Sequence, residues 1–279
     1  MCKPPEQAAH AAEISAATGA QNMPTVPHVA LDIHPLCDGS ETAARLRATF
    51  GVTEVSSAND TPILRLDEEG LALVSDGQIL RGDFTRMLHR IKPGCLSSEL
   101  LVRAAKIKGV ESPTAVDATA GLGDDSLLLA AAGFHVILFE RNPVIYELLK
   151  DAMARAATVP ALTDIVARME VRHEDSTTAM ATLTVSPDVI LLDPMFPERQ
   201  KSALVKKKLQ IIQKLESPCD DEKNLLLAAM RAGPKKLIVK RPPKGPYLAD
   251  IKPDHNIEGK AVRFDCFVSP RDRLHKFDT

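Results

Sequence analysis

The chain has 279 residues, 44% of them hydrophobic and 26% charged, and its 35 basic and 37 acidic side chains leave a formal net charge of −2. This composition suits one sizeable globular domain plus a small one, and the charge argues against indiscriminate nucleic-acid binding. No apolar run approaches the roughly 20 residues that span a bilayer, and the opening Met1-Cys2-Lys3-Pro4-Pro5-Glu6 lacks the apolar core of a secretory signal. Cys2, Cys37, Cys95, Cys219 and Cys266 show no CxxC spacing, so no disulfide framework or metal site is expected and a reducing cytoplasm fits best.

Residues 1 to 27 are rich in Ala, Pro, Gln and Asn and read as a mobile tail. Residues 28 to 110 read as a small α+β domain with a connecting helix. Its expected parts are a strand at Val29–Ile33, a helix over Glu41–Phe50 ended by Gly51, and a hairpin of Pro62–Leu66 with Leu71–Val74 around Asp67-Glu68-Glu69-Gly70. Another strand is expected over Ile79–Phe84, and a helix capped by Ser97 or Ser98 to about Lys108. A unit this small holds little core alone, so it should pack on the larger domain after it. Nothing in it suggests chemistry, and His89, with no carboxylate or nucleophile near it in sequence, reads as structural.

From residue 111 to 279 strands alternate with helices, the pattern of a parallel sheet covered on both faces. Strand candidates end at Asp117, before Glu140, before His173-Glu174-Asp175-Ser176, before Asp193 and at Val239, ahead of Lys240-Arg241-Pro242-Pro243. Two more lie near Ile257 and at Arg263–Val268. Asp117, Glu140, Asp175, Asp193 and Lys240 are thus expected just past successive carboxyl ends, the edge where open α/β sheets bind ligands. Each alone reads more readily as a helix cap or loop acid; five on one rim do not.

The turn Gly121-Leu122-Gly123-Asp124-Asp125-Ser126 has two of the three glycines of the dinucleotide fingerprint, with Ser126 in the third place. Its two acids would repel a pyrophosphate but suit a ligand with a cationic centre and an ammonium group. S-adenosylmethionine is such a ligand. Asp117 and the glycine turn are placed for its amino-acid part, Glu140 for its ribose, and Asp175 or Ser176 for its adenine amine. Asp193-Pro194-Met195-Phe196 then suits a planar ring bearing an amine. A carboxylate and a carbonyl freed by proline can accept both N–H bonds, and Phe196 can stack on the ring. The alternative is a strand end turned by two prolines with Phe196 in the core.

Two basic runs without acids, Arg199–Lys214 and Arg231–Lys244, follow strand ends and make a phosphate-facing patch plausible; a solvated helix face is the plainer meaning. Lys201, Lys240 and Arg241 are the expected phosphate contacts.

The segments Asp117–Gly123, Glu140-Arg141-Asn142-Pro143, Asp193–Pro197, Gln200–Lys207 and Val239-Lys240-Arg241-Pro242 resemble those of bacterial 16S ribosomal RNA (guanine-N2)-methyltransferases of the RsmJ family. The resemblance is strong over residues 87 to 268 and weak over 29 to 86. It implies a class I S-adenosylmethionine-dependent methyltransferase fold: Rossmann-like, with a mostly parallel seven-stranded sheet. By position, it puts cofactor contacts at Asp124, Asp125, Glu140, Arg141, Asp175, Ser176 and Asp193. Two departures stand out: the family has Arg where Asp124 stands, and Ser-Ser at Asp175-Ser176. Both positions are compatible with backbone contacts.

The expected activity is methyl transfer to the exocyclic amine of a guanine in 16S ribosomal RNA, naked or in the small subunit. Asp193 and Pro194 would orient the amine, Phe196 would stack, and neither metal nor membrane is involved. The rivals are a DNA or small-molecule amine methyltransferase, a nicotinamide-dependent oxidoreductase and a non-catalytic RNA-binding protein.

Overall fold

Apolar runs separated by turn residues become strands, and amphipathic runs opened by Ser, Asn or Pro become helices. The computed structural model describes residues 29–51, 61–184, 186–194 and 222–277. The first part comprises β1 (Ala30–Ile33), α1 (Glu41–Phe50), β2 (Ile63–Asp67), β3 (Gly70–Ser75), β4 (Gln78–Leu80), α2 (Pro93–Leu96) and α3 (Leu100–Ala105). It continues through β5 (Thr114–Asp117), α4 (Asp124–Ala131), β6 (His135–Phe139), α5 (Pro143–Ala157), α6 (Thr163–Val166), β7 (Met169–Arg172) and α7 (Ser176–Ala179). The last part is β8 (Val189–Leu192), α8 (Glu222–Arg231), β9 (Lys236–Arg241), β10 (His255–Glu258) and β11 (Arg263–Val268). None of the described helices is long and apolar enough to cross a membrane.

Local chemistry sets the ends. The Ser40 hydroxyl accepts from the Ala43 N–H at 3.1 Å, and Gly51 closes α1 at φ 76°. Asn142 accepts from the Val144 and Ile145 N–H groups, with Pro143 in the first turn of α5.

β5 to β11 form one seven-stranded sheet in the order β10-β11-β9-β8-β5-β6-β7. β9, β8, β5, β6 and β7 run parallel, and β11 is antiparallel to both its neighbours. β8 is wholly buried because helices cover both faces. Val189 and Leu191 pack in the core shared with α3, α4 and α6, and Ile190 and Leu192 in the core shared with α8.

β1 to β4 form a second sheet, β1 parallel to β2 and the rest antiparallel. Its apolar face closes on α5, with Leu64, Leu66, Leu71, Leu73 and Leu80 meeting Val144, Ile145 and Leu148. Leu149, Ala152 and Ala156 of the same helix face the larger core. The small unit therefore completes its core on its neighbour, as its size requires.

Three local expectations need correction. The strand after the hairpin stops at Leu80, and Asp83, accepting from the Thr85 N–H at 2.9 Å, turns Phe84–Met87 into a 3-10 turn. Neither Ser97 nor Ser98 caps α3; their hydroxyls donate back to the Gly94 and Cys95 carbonyls of α2, and α3 ends at Ala105. β9 runs two residues beyond Val239, so Lys240 and Arg241 lie within the strand, and Asp117 is the last residue of β5.

Candidate active site

At the centre of the sheet β5 and β8 lie side by side, and their carboxyl ends are tied together. Asp117, 2% exposed, accepts the Ser126 hydroxyl at 2.6 Å and the Thr119 N–H at 3.1 Å. Thr119 in turn accepts the Asp193 N–H on Oγ1 at 2.6 Å. Asp117 thus anchors the turn from inside and passes its position to Asp193. The bonds seen for Asp117 are internal to the turn, from Ser126 and Thr119. Burial, opposed by the Ser126 bond and reinforced by the charge of Asp125, pushes its carboxyl up to about 6.

The two glycines differ in kind. Gly123 sits at φ 81°, and a Cβ there would lie 2.7 Å from Leu149 Cδ1 and 3.1 Å from Phe84 Cζ. It is the close-packing glycine at the N-cap of α4, and it offers no side chain to take up the first N–H groups of that helix. Gly121, at φ 54°, has nothing within 4 Å of the Cβ position, so its face is open to a ligand.

Glu140 directly follows β6 and is 5% exposed; it accepts the Gly121 N–H at 3.0 Å and the Asn142 N–H at 2.8 Å. It clamps the glycine turn to the start of α5. Arg141 is exposed, with its carbonyl 3.1 Å from His173 Nε2, and the His173 ring stacks on Tyr146 at 5.0 Å. Asp175 caps α7 by accepting the Thr177 N–H at 2.8 Å, and Ser176 beside it is buried.

Lys240 reaches into the centre from β9. Its ammonium donates to Asp125 Oδ2 at 2.5 Å and to Asp193 Oδ2 at 2.7 Å. Burial works against the ammonium, but the charges of Asp193 and Asp125 outweigh it and hold its pKa above the ordinary lysine value. Burial also raises the Asp193 carboxyl, Lys240 pulls it back down, and Asp125 adds to the rise. Asp124, in the same first turn of α4, is exposed.

The expected phosphate contacts separate. Lys240 is taken up by two carboxylates inside the site. Arg241 is 2% exposed, donates through Nε to the Pro246 carbonyl at 2.8 Å and lies 3.5 Å from Glu222. Neither is placed as a surface phosphate contact. Lys235 pairs with Asp188 at 2.7 Å and Lys236 donates to the Lys106 carbonyl at 2.8 Å, both at the opposite edge of the sheet. The second basic run therefore straddles a strand and makes no single patch. Phe196 and Lys201 lie outside the described residues, while Pro194 is buried directly after Asp193.

Sequence reasoning missed Thr119, the role of Ser126 and the inward reach of Lys240. Ser126 looked like a defective third glycine, and its hydroxyl is what satisfies Asp117. Its place nine residues after an acid at a strand end was the available signal. Phe84, packed under Gly123 from the small unit, left no signal at all.

S-adenosylmethionine fits this donor set. The open face of Gly121, the uncapped start of α4, Glu140 beside both, and the acids Asp124, Asp125 and Asp193 together accommodate a cation with a ribose. A family model described as "Putative SAM-dependent methyltransferase" matches residues 45–269. Ribosomal RNA small subunit methyltransferase J of Chromohalobacter salexigens is 38% identical over 235 residues, 80% of this chain and 92% of the relative. The protein of that name from Thioalkalivibrio sulfidiphilus is 39% identical over 241 residues, 83% of this chain and 94% of the relative. The crystal structure of a SAM-dependent methyltransferase from Neisseria gonorrhoeae superposes with TM-score 0.68 at 27% identity, covering 86% of this chain and 96% of that one. With its glycine turn, its rim of acids and its sheet order all in place, the chain belongs to the S-adenosylmethionine-dependent methyltransferases, in the family of ribosomal RNA small subunit methyltransferase J.

Proposed function

We propose that the chain methylates the exocyclic N2 amine of a guanine in 16S ribosomal RNA, acting in the cytoplasm on the small subunit or its RNA. The observation that carries this reading is the Asp193 carboxylate beside the glycine turn. Lys240 holds its Oδ2 at 2.7 Å, and Oδ1 accepts nothing among the described residues. The relatives from Chromohalobacter and Thioalkalivibrio support the RNA as substrate class.

The guanine N2 lone pair is delocalised into the ring and is a poor nucleophile. Asp193 Oδ1 and the Pro194 carbonyl accept its two N–H bonds, which favours charge developing on nitrogen and aims the lone pair. Bound S-adenosylmethionine supplies an electrophilic methyl group on a sulfonium. Gly121, Asp124 and Asp125 would hold its amino-acid part, Glu140 its ribose, and the Asp175-Ser176 backbone its adenine. When the nitrogen forms its new bond it must shed a proton, and the Asp193 carboxylate is the base within reach. Phe196 stacks on a guanine drawn out of its surroundings, and Lys201 with the rest of the run Arg199–Lys214 holds the RNA backbone without reading sequence.

The test is mass spectrometry of 16S ribosomal RNA from a strain lacking this protein. One N2-methylguanosine should disappear and return with the wild-type chain. An unchanged content of N2-methylguanosine overturns the reading, and tighter calorimetric binding of NAD than of S-adenosylhomocysteine overturns the site.

A further inference from the structure

Lys240 was expected on the surface and is found at the junction of three elements. Its ammonium touches Asp125 in the first turn of α4 and Asp193 after β8, while its own backbone is in β9. Both carboxylates contribute one oxygen, Oδ2, to the same nitrogen. The Asp193 main chain is fixed separately by Thr119. With backbone and one oxygen both held, the carboxylate plane has a single setting, and Oδ1 is the oxygen left over.

We infer that Lys240 is a positioning residue for methyl transfer: it clamps Asp193 Oδ2 so that Oδ1 faces the incoming amine, and joins the amine side of the site to the cofactor side through Asp125. This rests on the proposed role of Asp193 in orienting the amine. Among the described residues, the charged groups acting on Asp193 are Lys240 and Arg241 from β9, Asp125 from α4, and Asp117 from β5. Lys240 is the cation in direct contact among the described residues. Without it, Asp193 and Asp125 would confront each other across a partly buried gap. Losing the cation removes what pulls the Asp193 carboxyl back down and leaves the charge of Asp125 to push it up. A protonated Asp193 is a weaker acceptor for the amine and cannot take up its proton. The clamp is thus also what keeps the base in its working state near neutrality.

The signs are opposite for the two partners of Asp193. Lys240→Met removes the stabilising cation, so the acid limb of the pH–rate profile should move up by about one pH unit or more. Asp125→Asn removes a like charge and leaves the ammonium wholly to Asp193, so the limb should move down. Lys240→Arg, which restores a cation, should return the limb close to wild type though its fork is shaped differently.

The experiment is single-turnover transfer of labelled methyl to small-subunit RNA from a strain lacking the protein, at saturating S-adenosylmethionine, between about pH 5.5 and 9. Lys240→Met should be at least about tenfold slower at pH 7. Its RNA affinity and salt dependence should be unchanged, since the Lys240 ammonium is taken up by Asp125 and Asp193. A slower Lys240→Met with its limb in the wild-type position makes the residue merely structural and overturns the inference. So does weaker RNA binding with a flatter salt slope and full turnover. A second measurement does not depend on the reaction: carboxyl ¹³C titration of Asp193, assigned with Asp193→Asn, in wild type and Lys240→Met. A higher Asp193 pKa in the variant supports the clamp, and an unchanged one overturns it. If wild type transfers no methyl to RNA, the proposed function fails, and the titration still decides whether Lys240 governs Asp193.

Discussion

Asp193 and Asp117 are both acids at the carboxyl ends of central strands, and their surroundings give them different work. Asp193 has one oxygen held and 37% of its side-chain surface open, the state of a group kept for a ligand. Asp193→Ala should keep the fold and the RNA affinity and slow methyl transfer by about 10²–10³, the usual cost of losing one positioned electrostatic partner. Single-turnover transfer by a folded variant at the wild-type rate would remove Asp193 from the chemistry. Asp117 is enclosed, with both oxygens committed to Ser126 and Thr119, and its pKa is raised to about 6. A carboxyl whose folded pKa is raised stabilises fully below its unfolded pKa near 4, and that stabilisation is lost as pH rises through about 6. Asp117→Asn can keep the bond from the Thr119 N–H and has no such titration. The difference in urea stability between wild type and variant should therefore shift against wild type from about pH 4 to pH 7, by on the order of 3 kcal/mol. A difference that stays flat over that range would mean the charge is solvated after all.

At the scale of elements, the turn between β5 and α4 is the part most constrained by its backbone. Both glycines have positive φ, but only Gly123 is hemmed in, by Leu149 and Phe84. Gly123→Ala should cost about 2–4 kcal/mol, combining the left-handed backbone with overpacking. Gly121→Ala should cost only about 1–2 kcal/mol in stability. Its added methyl points into the open face, so it should weaken S-adenosylhomocysteine binding instead. Urea unfolding with calorimetry separates the two, and a larger stability loss at Gly121 would reverse the assignment. α5 is the other element on which much converges. It carries two apolar faces, one for each sheet, and its amino end carries the Asn142 cap that Glu140 supports.

For the whole molecule, the question is how the small sheet stays on the large one. Apolar packing on α5 is reinforced by Arg45 of α1, which pairs with the 3%-exposed Glu147 at 3.0 Å, and by Arg155, which donates to the Gly82 carbonyl. Arg45→Ala would leave a buried carboxylate unpaired. Its expected cost is roughly 2 kcal/mol, below the about 3–5 kcal/mol of a fully enclosed pair because Arg45 is partly solvated. Arg45→Ala/Glu147→Gln should recover most of that loss in thermal unfolding; no recovery would mean the pair contributes little. Phe84 reaches from this unit to Gly123 and links the small sheet's position to the cofactor turn. Residues 111 to 279 are therefore proposed to depend on the preceding unit for a formed site.

How much of this was legible in the residues depends on the range of the forces involved. Strands, α1, α5, the glycine turn and the row of acids at the strand ends were readable because apolar period, caps and φ > 0 requirements act within a few residues. The family was readable because its motifs are contiguous. The fates of Asp117 and Lys240 were not. A carboxylate at a strand end and a lysine in a basic run carry the same local signal whether they meet solvent, a phosphate or each other. Only the sheet order, which sets β9 beside β8 and β8 beside β5, brings Lys240 to Asp193 and Asp125 and Thr119 under Asp193. Those contacts join residues 47 to 115 positions apart. Burial then decides the charge states, because a neighbour's field matters most where water is excluded, and exclusion of water is a property of the packed molecule.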